Sequence, residues 1–283
     1  MFEHVSRNYP LITREEQEIL ENSTVAIAGV GGIGGWIADT LVRMGVGHIK
    51  VSDLDNYEIH NLNRQAFSNM DVLGEPKVHV VAQELKKINN NLDIKVFDEG
   101  VNEKNIENFL DGVDIVIDAV EYFEFKVRRM IQNESRKRGI TTFLNVVAGF
   151  SVGLFIFSPE SMEFDEYIGF KDSSKSEDEF VMPFERTIPV FPKYMMNYCD
   201  MDLAKQIFSR QEPITNLCAP VAIGALLAAN EAVMKLLNRK KMVLAPNSLI
   251  LDLYENKYSI VNAVDKPLWS KQDLIRESVV QWD

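Results

Sequence analysis

Apolar runs and amphipathic stretches alternate in a regular order along the first 160 residues. Residues 24–29, TVAIAG, form a short β-branched run without polar alternation, as expected of a strand buried on both faces of a parallel sheet. Ile33, Ile37, Leu41 and Met44 then recur at helical spacing until Gly45 stops them, which predicts a helix over 33–44. The order repeats. HIKVSD (48–53) reads as a strand, EPKVHVVAQELKKINN (75–90) as a helix with Pro76 suited to its first turn, and LDIKVFDE (92–99) as a third strand. NEKNIENFL (102–110) is a short helix, VDIVIDAV (113–120) a fourth strand, and 123–138 a charged helix. GITTFLNVVAG and VGLFIFSP are further strands.

Past residue 160 the pattern breaks. Residues 169–194 mix an acidic, serine-rich patch with three prolines and read as a long, partly mobile loop or lid, placed at about 165–215. An apolar helix over 218–238 follows, then a hairpin of SLILDLY and KYSIVNAV with ENK at its turn. Strands alternating with helices make βαβ units. The predicted fold is α/β, a Rossmann-like doubly wound mixed sheet with a parallel N-terminal half and antiparallel C-terminal strands. Residues 1–22 form an N-terminal helical arm, and 23–283 one domain with the loop inserted.

Composition sets the class without changing that picture. With 46% hydrophobic and 25% charged residues, the 283-residue chain matches a globular protein with a sizeable core. A net charge of −12 disfavours nucleic acid and anionic membrane as partners, because the average field repels polyanions. The two cysteines, Cys199 and Cys218, form no CxxC pair, so no paired-cysteine zinc site is expected. The first 20 residues hold acidic side chains and no continuous apolar stretch, unlike a signal peptide. These readings point to a reducing, cytoplasmic setting. The apolar run 218–237 has membrane length, but Asn230, Glu231, Lys235 and its many alanines favour a buried or interfacial helix.

Gly29, Gly31 and Gly34 form GxGxxG, with Gly32 inside it, after a strand and opening a helix. Such glycines let the backbone turn tightly and approach a pyrophosphate at a helix N-terminus. Asp53 ends the second strand, where an acid would accept ribose hydroxyls. This much fits NAD and FAD as well as ATP. The stretch NYEIHNLNRQAFSN (56–69) then places Asn61, Asn63, Arg64 and Gln65 together, with Lys77 beyond them. An enzyme that cleaves ATP must neutralise three phosphates, and Arg64 and Lys77 can return two cations to the mouth of the sheet. Spacing alone does not separate this from a solvated loop with Lys77 facing water.

The order of the motifs does. The D-x-D of Asp53 and Asp55, the N-x-x-RQ of Asn61, Arg64 and Gln65, the G-x-x-K ending at Lys77, and a helix ending in IN together resemble the ThiF/MoeB/HesA family. These are the ubiquitin-activating-enzyme-like adenylyltransferases. The resemblance implies a homodimer that uses ATP and Mg²⁺ to adenylate a carboxylate, commonly the C-terminus of a ubiquitin-like or sulfur-carrier protein, or a peptide. It gives Asp53 the ribose, Asn61 and Arg64 the nucleotide and phosphates, and Lys77 a grip on the phosphates. Asp55, Asn63, Gln65 and the glycine turn join the nucleotide site. The N-terminal helix of relatives sends an arginine into the partner subunit's active site; Arg7 fits that place, with Arg14 as a competitor.

Two departures bear on activity. DAVEYF stands where the family has D-x-T-D-N, so Asp118 matches the first acid and Glu121 replaces the aspartate that holds Mg²⁺. A glutamate can still ligate the ion; the opposite reading is a catalytically silent family member that acts as a binding subunit. An NAD(P)- or FAD-binding oxidoreductase is the other alternative, and it leaves Arg64 and Lys77 without a task. The zinc cysteines of many relatives are missing, while Cys218, at the start of the apolar helix, and Cys199 are candidates to accept the activated acyl group. LFIFSPESMEFDEY (154–167) is similar to a segment found in a subset of bacterial members.

Overall fold

The run TVAIA becomes β1 (Thr24–Ala28), and Val25, Ala26, Ile27 and Ala28 are wholly buried between two helical layers, as its uncharged sequence requires. A computed structural model describes residues 3–208 and 210–264. A 3-10 turn at Glu3–Asn8 and helix α1 (Arg14–Asn22) precede β1. Next come α2 (Gly32–Arg43), β2 (His48–Ser52), α3 (Lys77–Ile88), β3 (Asp93–Phe97), α4 (Ile106–Leu110) and β4 (Ile115–Asp118). Then follow α5 (Phe125–Lys137), β5 (Thr141–Ala148) and β6 (Ser151–Phe157). Four short helices come after them: α6 (Phe164–Tyr167), α7 (Phe184–Thr187), α8 (Met195–Tyr198) and α9 (Met201–Phe208). The chain continues through α10 (Cys218–Leu236), β7 (Asn247–Asp252) and β8 (Lys257–Asn262).

The eight strands form one sheet in the order β3-β2-β1-β4-β5-β6-β7-β8. Pairing is parallel from β3 to β5 and antiparallel from β5 to β8, as the sequence predicts. The strand order reverses at β1, with β2 on one side and β4 on the other. Their carboxyl ends therefore open a crevice, the place where such sheets bind ligands.

Helix α10 seats its alanines, Ala225, Ala228, Ala229 and Ala232, in the main core beside Ile37 and Leu41 of α2. Its approach to the sheet is close: a Cβ on Gly224 would stand 2.9 Å from Val152 Cγ1, and Asn145 Nδ2 donates to Gly224 O at 3.0 Å. Among the described residues α10 is the one helix long and apolar enough to cross a membrane, and half of that stretch is buried inside the fold. Its Ile223 and Leu226 remain exposed.

The N-terminal arm is fastened to α2. Val5, Ile12 and Leu20 are buried, Asn8 Nδ2 donates to Met44 O at 3.4 Å, and Gln17 Nε2 donates to the same carbonyl at 3.2 Å. Gly45, at φ 97°, leaves room for that amide, which a Cβ would meet at 1.9 Å. The segment expected as a loop carries α6 to α9, and its Tyr167, Ile168, Phe180 and Met182 are buried against Phe125, Phe155 and Phe157. Phe157 meets both Phe164 and Tyr167 edge-on at 5.4 Å, so the aromatics of the SPESMEFDEY stretch are core residues. Arg129 ties the segment down with bonds to both Asp165 oxygens and to Glu177.

Candidate functional site

The glycine turn lies at the crevice. Gly29, at φ 89°, donates to Ser52 O at 2.7 Å, and a Cβ there would come within 2.3 Å of Ala119 O. A Cβ on Gly34 would stand 1.8 Å from Gly29 O. Both positions are therefore closed to any side chain. Gly31 caps α2 without a side-chain partner, leaving the first amides of that helix directed outward from the turn.

Asp53 pins this turn. Its Oδ2 accepts from Val30 N at 2.9 Å and its Oδ1 from Asp55 N at 3.0 Å. Burial raises its carboxyl above the usual range, and Lys77 is the strongest charge opposing that shift. Lys77 opens α3 almost wholly buried, and its ammonium binds Asp55 Oδ2 at 2.8 Å. Pro76 is the cap of that helix, one place earlier than expected.

The polar loop closes over the turn. Asn61 is buried, accepts from Glu58 N through Oδ1 at 3.0 Å, and offers its carbonyl to the amides of Arg64 and Gln65. Its oxygen shapes the loop, a role the sequence did not suggest. Trp36 Nε1 on α2 donates to Arg64 O at 3.1 Å and fixes the loop from the helix side. As a result Arg64 Cγ lies 3.5 Å from the Cβ position of Gly32, and Gln65 Nε2 3.5 Å from that of Gly31. The Arg64 guanidinium bonds to His60 O and Asn63 Oδ1, neither of them charged. Burial pulls it below its ordinary value, and Glu121 opposes the shift from across the mouth. Gln65 is buried, and its Oε1 has no hydrogen-bond partner. Asn63 is exposed and donates to Asn216 O at 3.0 Å, reaching the segment before α10.

Asp118 does not face the crevice. It is fully buried, bonded by Arg128 Nε at 3.2 and 3.3 Å and by Gln132 Nε2 at 2.9 Å. The same guanidinium donates to Val120 O at 2.5 Å, Tyr122 O at 2.9 Å and Glu121 O at 3.4 Å. Arg128 thus holds the rim loop through its carbonyls and leaves the Glu121 side chain exposed. Among the described residues no three His, Cys, Asp or Glu side chains gather as a metal site, and Glu121 is an exposed carboxylate on this rim.

Arg7 is exposed on the 3-10 turn beside the C-terminal end of α2, about 18 Å of helix from the glycine turn, so it does not enter the site of its own chain. Arg14 lies over the Tyr9 ring at 5.8 Å. Cys218 is exposed on the first turn of α10, whose Val221 Cγ1 touches the Cβ position of Gly32 at 3.2 Å. Cys199 lies earlier in the chain, just after α8, where burial and Asp200 push its thiol up. The residue missed by sequence reasoning is Arg128. Beyond its ion pair with Asp118 its contacts run to backbone carbonyls, which leave no motif.

The ThiF family model matches residues 5–269. The chain is 38% identical over 141 residues to the tRNA threonylcarbamoyladenosine dehydratase of Bacillus subtilis, across 50% of this chain and 55% of that protein. It is 32% identical over 114 residues to the sulfur carrier protein adenylyltransferase of Thermus thermophilus, across 40% and 42%. The chain spans about half the length of the curated relatives it matches. Among solved structures, E. coli MccB with ATP superposes with a TM-score of 0.68 over 95% of this chain and 74% of that one, at 20% identity, a likeness of fold.

Proposed function

Because the chain belongs to the ThiF family, we propose that it is an ATP-dependent adenylyltransferase that activates a carboxylate. One observation carries the reading. The polar loop presses Arg64, a desolvated cation without a charged partner, and Gln65, with a buried unpaired acceptor, onto Gly31 and Gly32. A nucleotide answers both needs: phosphate for the guanidinium and a hydroxyl for the amide oxygen.

In the reaction a carboxylate oxygen attacks the α-phosphorus of ATP. The P–O bond to the β-phosphate breaks, and pyrophosphate leaves with the electron pair. Arg64 stabilises charge that grows on the phosphate oxygens, in a site already poor in water. Buried Lys77, held by Asp55 at 2.8 Å, opposes the burial shift of Asp53, the residue for the ribose, and so favours its charged form beside the turn. Glu121 would hold Mg²⁺, which supplies further neutralisation of phosphate charge. Asp118 has both oxygens engaged by Arg128 and Gln132 and takes no part.

The substrate proposed is the C-terminal carboxylate of a ubiquitin-like or sulfur-carrier protein, or of a peptide. The relative named as a sulfur carrier protein adenylyltransferase supports a protein substrate, and the charge of −12 disfavours a polyanion. The enzyme works in the cytoplasm as a homodimer, with Arg7 acting across the interface and the exposed face of α10 contributing to it. Cys218, one turn from Val221, is the thiol proposed to take the acyl group from the adenylate as AMP leaves.

Exchange of labelled pyrophosphate into ATP, dependent on a carboxylate substrate, is the test. Exchange with a Gly-Gly-ending protein or a peptide is expected. Tight NAD binding without ATP binding, or ATP binding with no exchange for any carboxylate, would overturn the reading.

A further inference from the structure

We infer that Arg210 is a third phosphate-directed cation, carried to the nucleotide site by the segment between α9 and α10; the inference rests on the ATP reading above. The first observation is conformational. Arg210 has φ 62°, its N–H bonds to Ile207 O at 3.0 Å, and the N–H of Gln211 bonds back to Gln206 O at 2.8 Å. This pair of bonds is the left-handed closure of a helix end, a position that glycine fills without steric conflict. An arginine here gains nothing for the backbone, so its side chain is what the position supplies.

The second observation is where that side chain lies. The guanidinium rests over the Phe123 ring at 5.2 Å, on the rim loop that Arg128 holds and two residues from Glu121. The same connecting segment meets the opposite rim, where Asn63 Nδ2 donates to Asn216 O beside Arg64. The segment therefore spans the mouth, from the Glu121 rim to the Arg64 rim. Arg210 forms no ion pair among the described residues; its cation is held by an aromatic face and is open to an anion.

The third observation is charge. Two cations at the mouth, Arg64 and Lys77, stand with three carboxylates, Asp53, Asp55 and Glu121, and Lys77 is already paired. A triphosphate entering this set needs more positive charge than the two cations provide. Arg210, over the ring two residues from Glu121 and without an ion pair among the described residues, can supply it.

Calorimetric titration of the full chain with ATP and with adenosine separates the outcomes. Arg210→Gly keeps the helix closure, so its unfolding temperature should match or exceed that of the parent. Its ATP affinity should fall about tenfold while adenosine affinity holds, since a charge-assisted contact to phosphate is lost. Arg210→Lys should retain most of the ATP affinity. Unchanged ATP affinity in Arg210→Gly, or equal weakening of ATP and adenosine, would overturn the inference. A parent protein that binds adenosine and ATP equally would instead overturn the adenylyltransferase reading, and Arg210 with it.

Discussion

Two of the three hydrophobic clusters among the described residues are built on different principles. On the face of β1, β2 and β4 that meets α2 and α10 the buried side chains are aliphatic apart from Phe143, and they are short enough for helices to lie close on the sheet. Around β6 and α5 the core is made of Phe125, Phe155, Phe157, Phe164, Tyr167 and Phe180. Close packing in the first core brings strand ends and helix starts to fixed separations, and the glycine turn, Asp53 and Arg64 all depend on those separations. Large rings in the second fill wider gaps beneath a connection with little regular structure of its own. Precision belongs to the aliphatic half and coverage to the aromatic half.

If that division holds, Phe155→Ala gives the largest loss of stability, about 3–5 kcal/mol by chemical denaturation, while ATP affinity of the folded protein is retained. A parallel fall in ATP affinity would mean that the two cores are not separate. Arg64→Ala should act in the opposite sense. We expect pyrophosphate exchange to drop by a factor of about 100 or more, with the unfolding midpoint nearly unmoved, because the guanidinium bonds only to His60 O and Asn63 Oδ1. The smallest effect is at the N-terminal arm. Arg239 binds both Glu16 oxygens and, with the amide of Thr13, brings that carboxyl down to about 2. A depressed folded value stabilises above the ordinary value of 4.5, and that stabilisation is lost as pH falls from there toward 2. Amide exchange in α1 should accelerate over that window, and Arg239→Gln should reduce the pH dependence while the Thr13 amide keeps part of it.

The strands and helices through residue 157 were legible because burial on both faces of a parallel sheet leaves uninterrupted apolar runs, as in TVAIA and IVID. The clustering of Arg64 and Gln65 at Gly31 and Gly32 was legible from motif order. The tasks within the cluster were not. Asn61 reads as a ligand and serves as a loop brace; Asp118 reads as a site acid and is the buried partner of Arg128. In both cases the deciding partner is a backbone amide or a side chain on the next helix, and neither leaves periodicity in a sequence. The helices of 164–208 escaped notice for another reason: three of them span only four residues, too short for a helical repeat to show.

The hold that Arg128 has on the rim separates shape from chemistry at that spot. Its three bonds go to the carbonyls of residues 120–122, which every amino acid carries, and none goes to the Glu121 side chain. The loop therefore works as a socket into which different carboxylates can be fitted without refolding. A glutamate in place of the aspartate that the motif resemblance implies alters the reach of one acid, and the frame around it stays as it was.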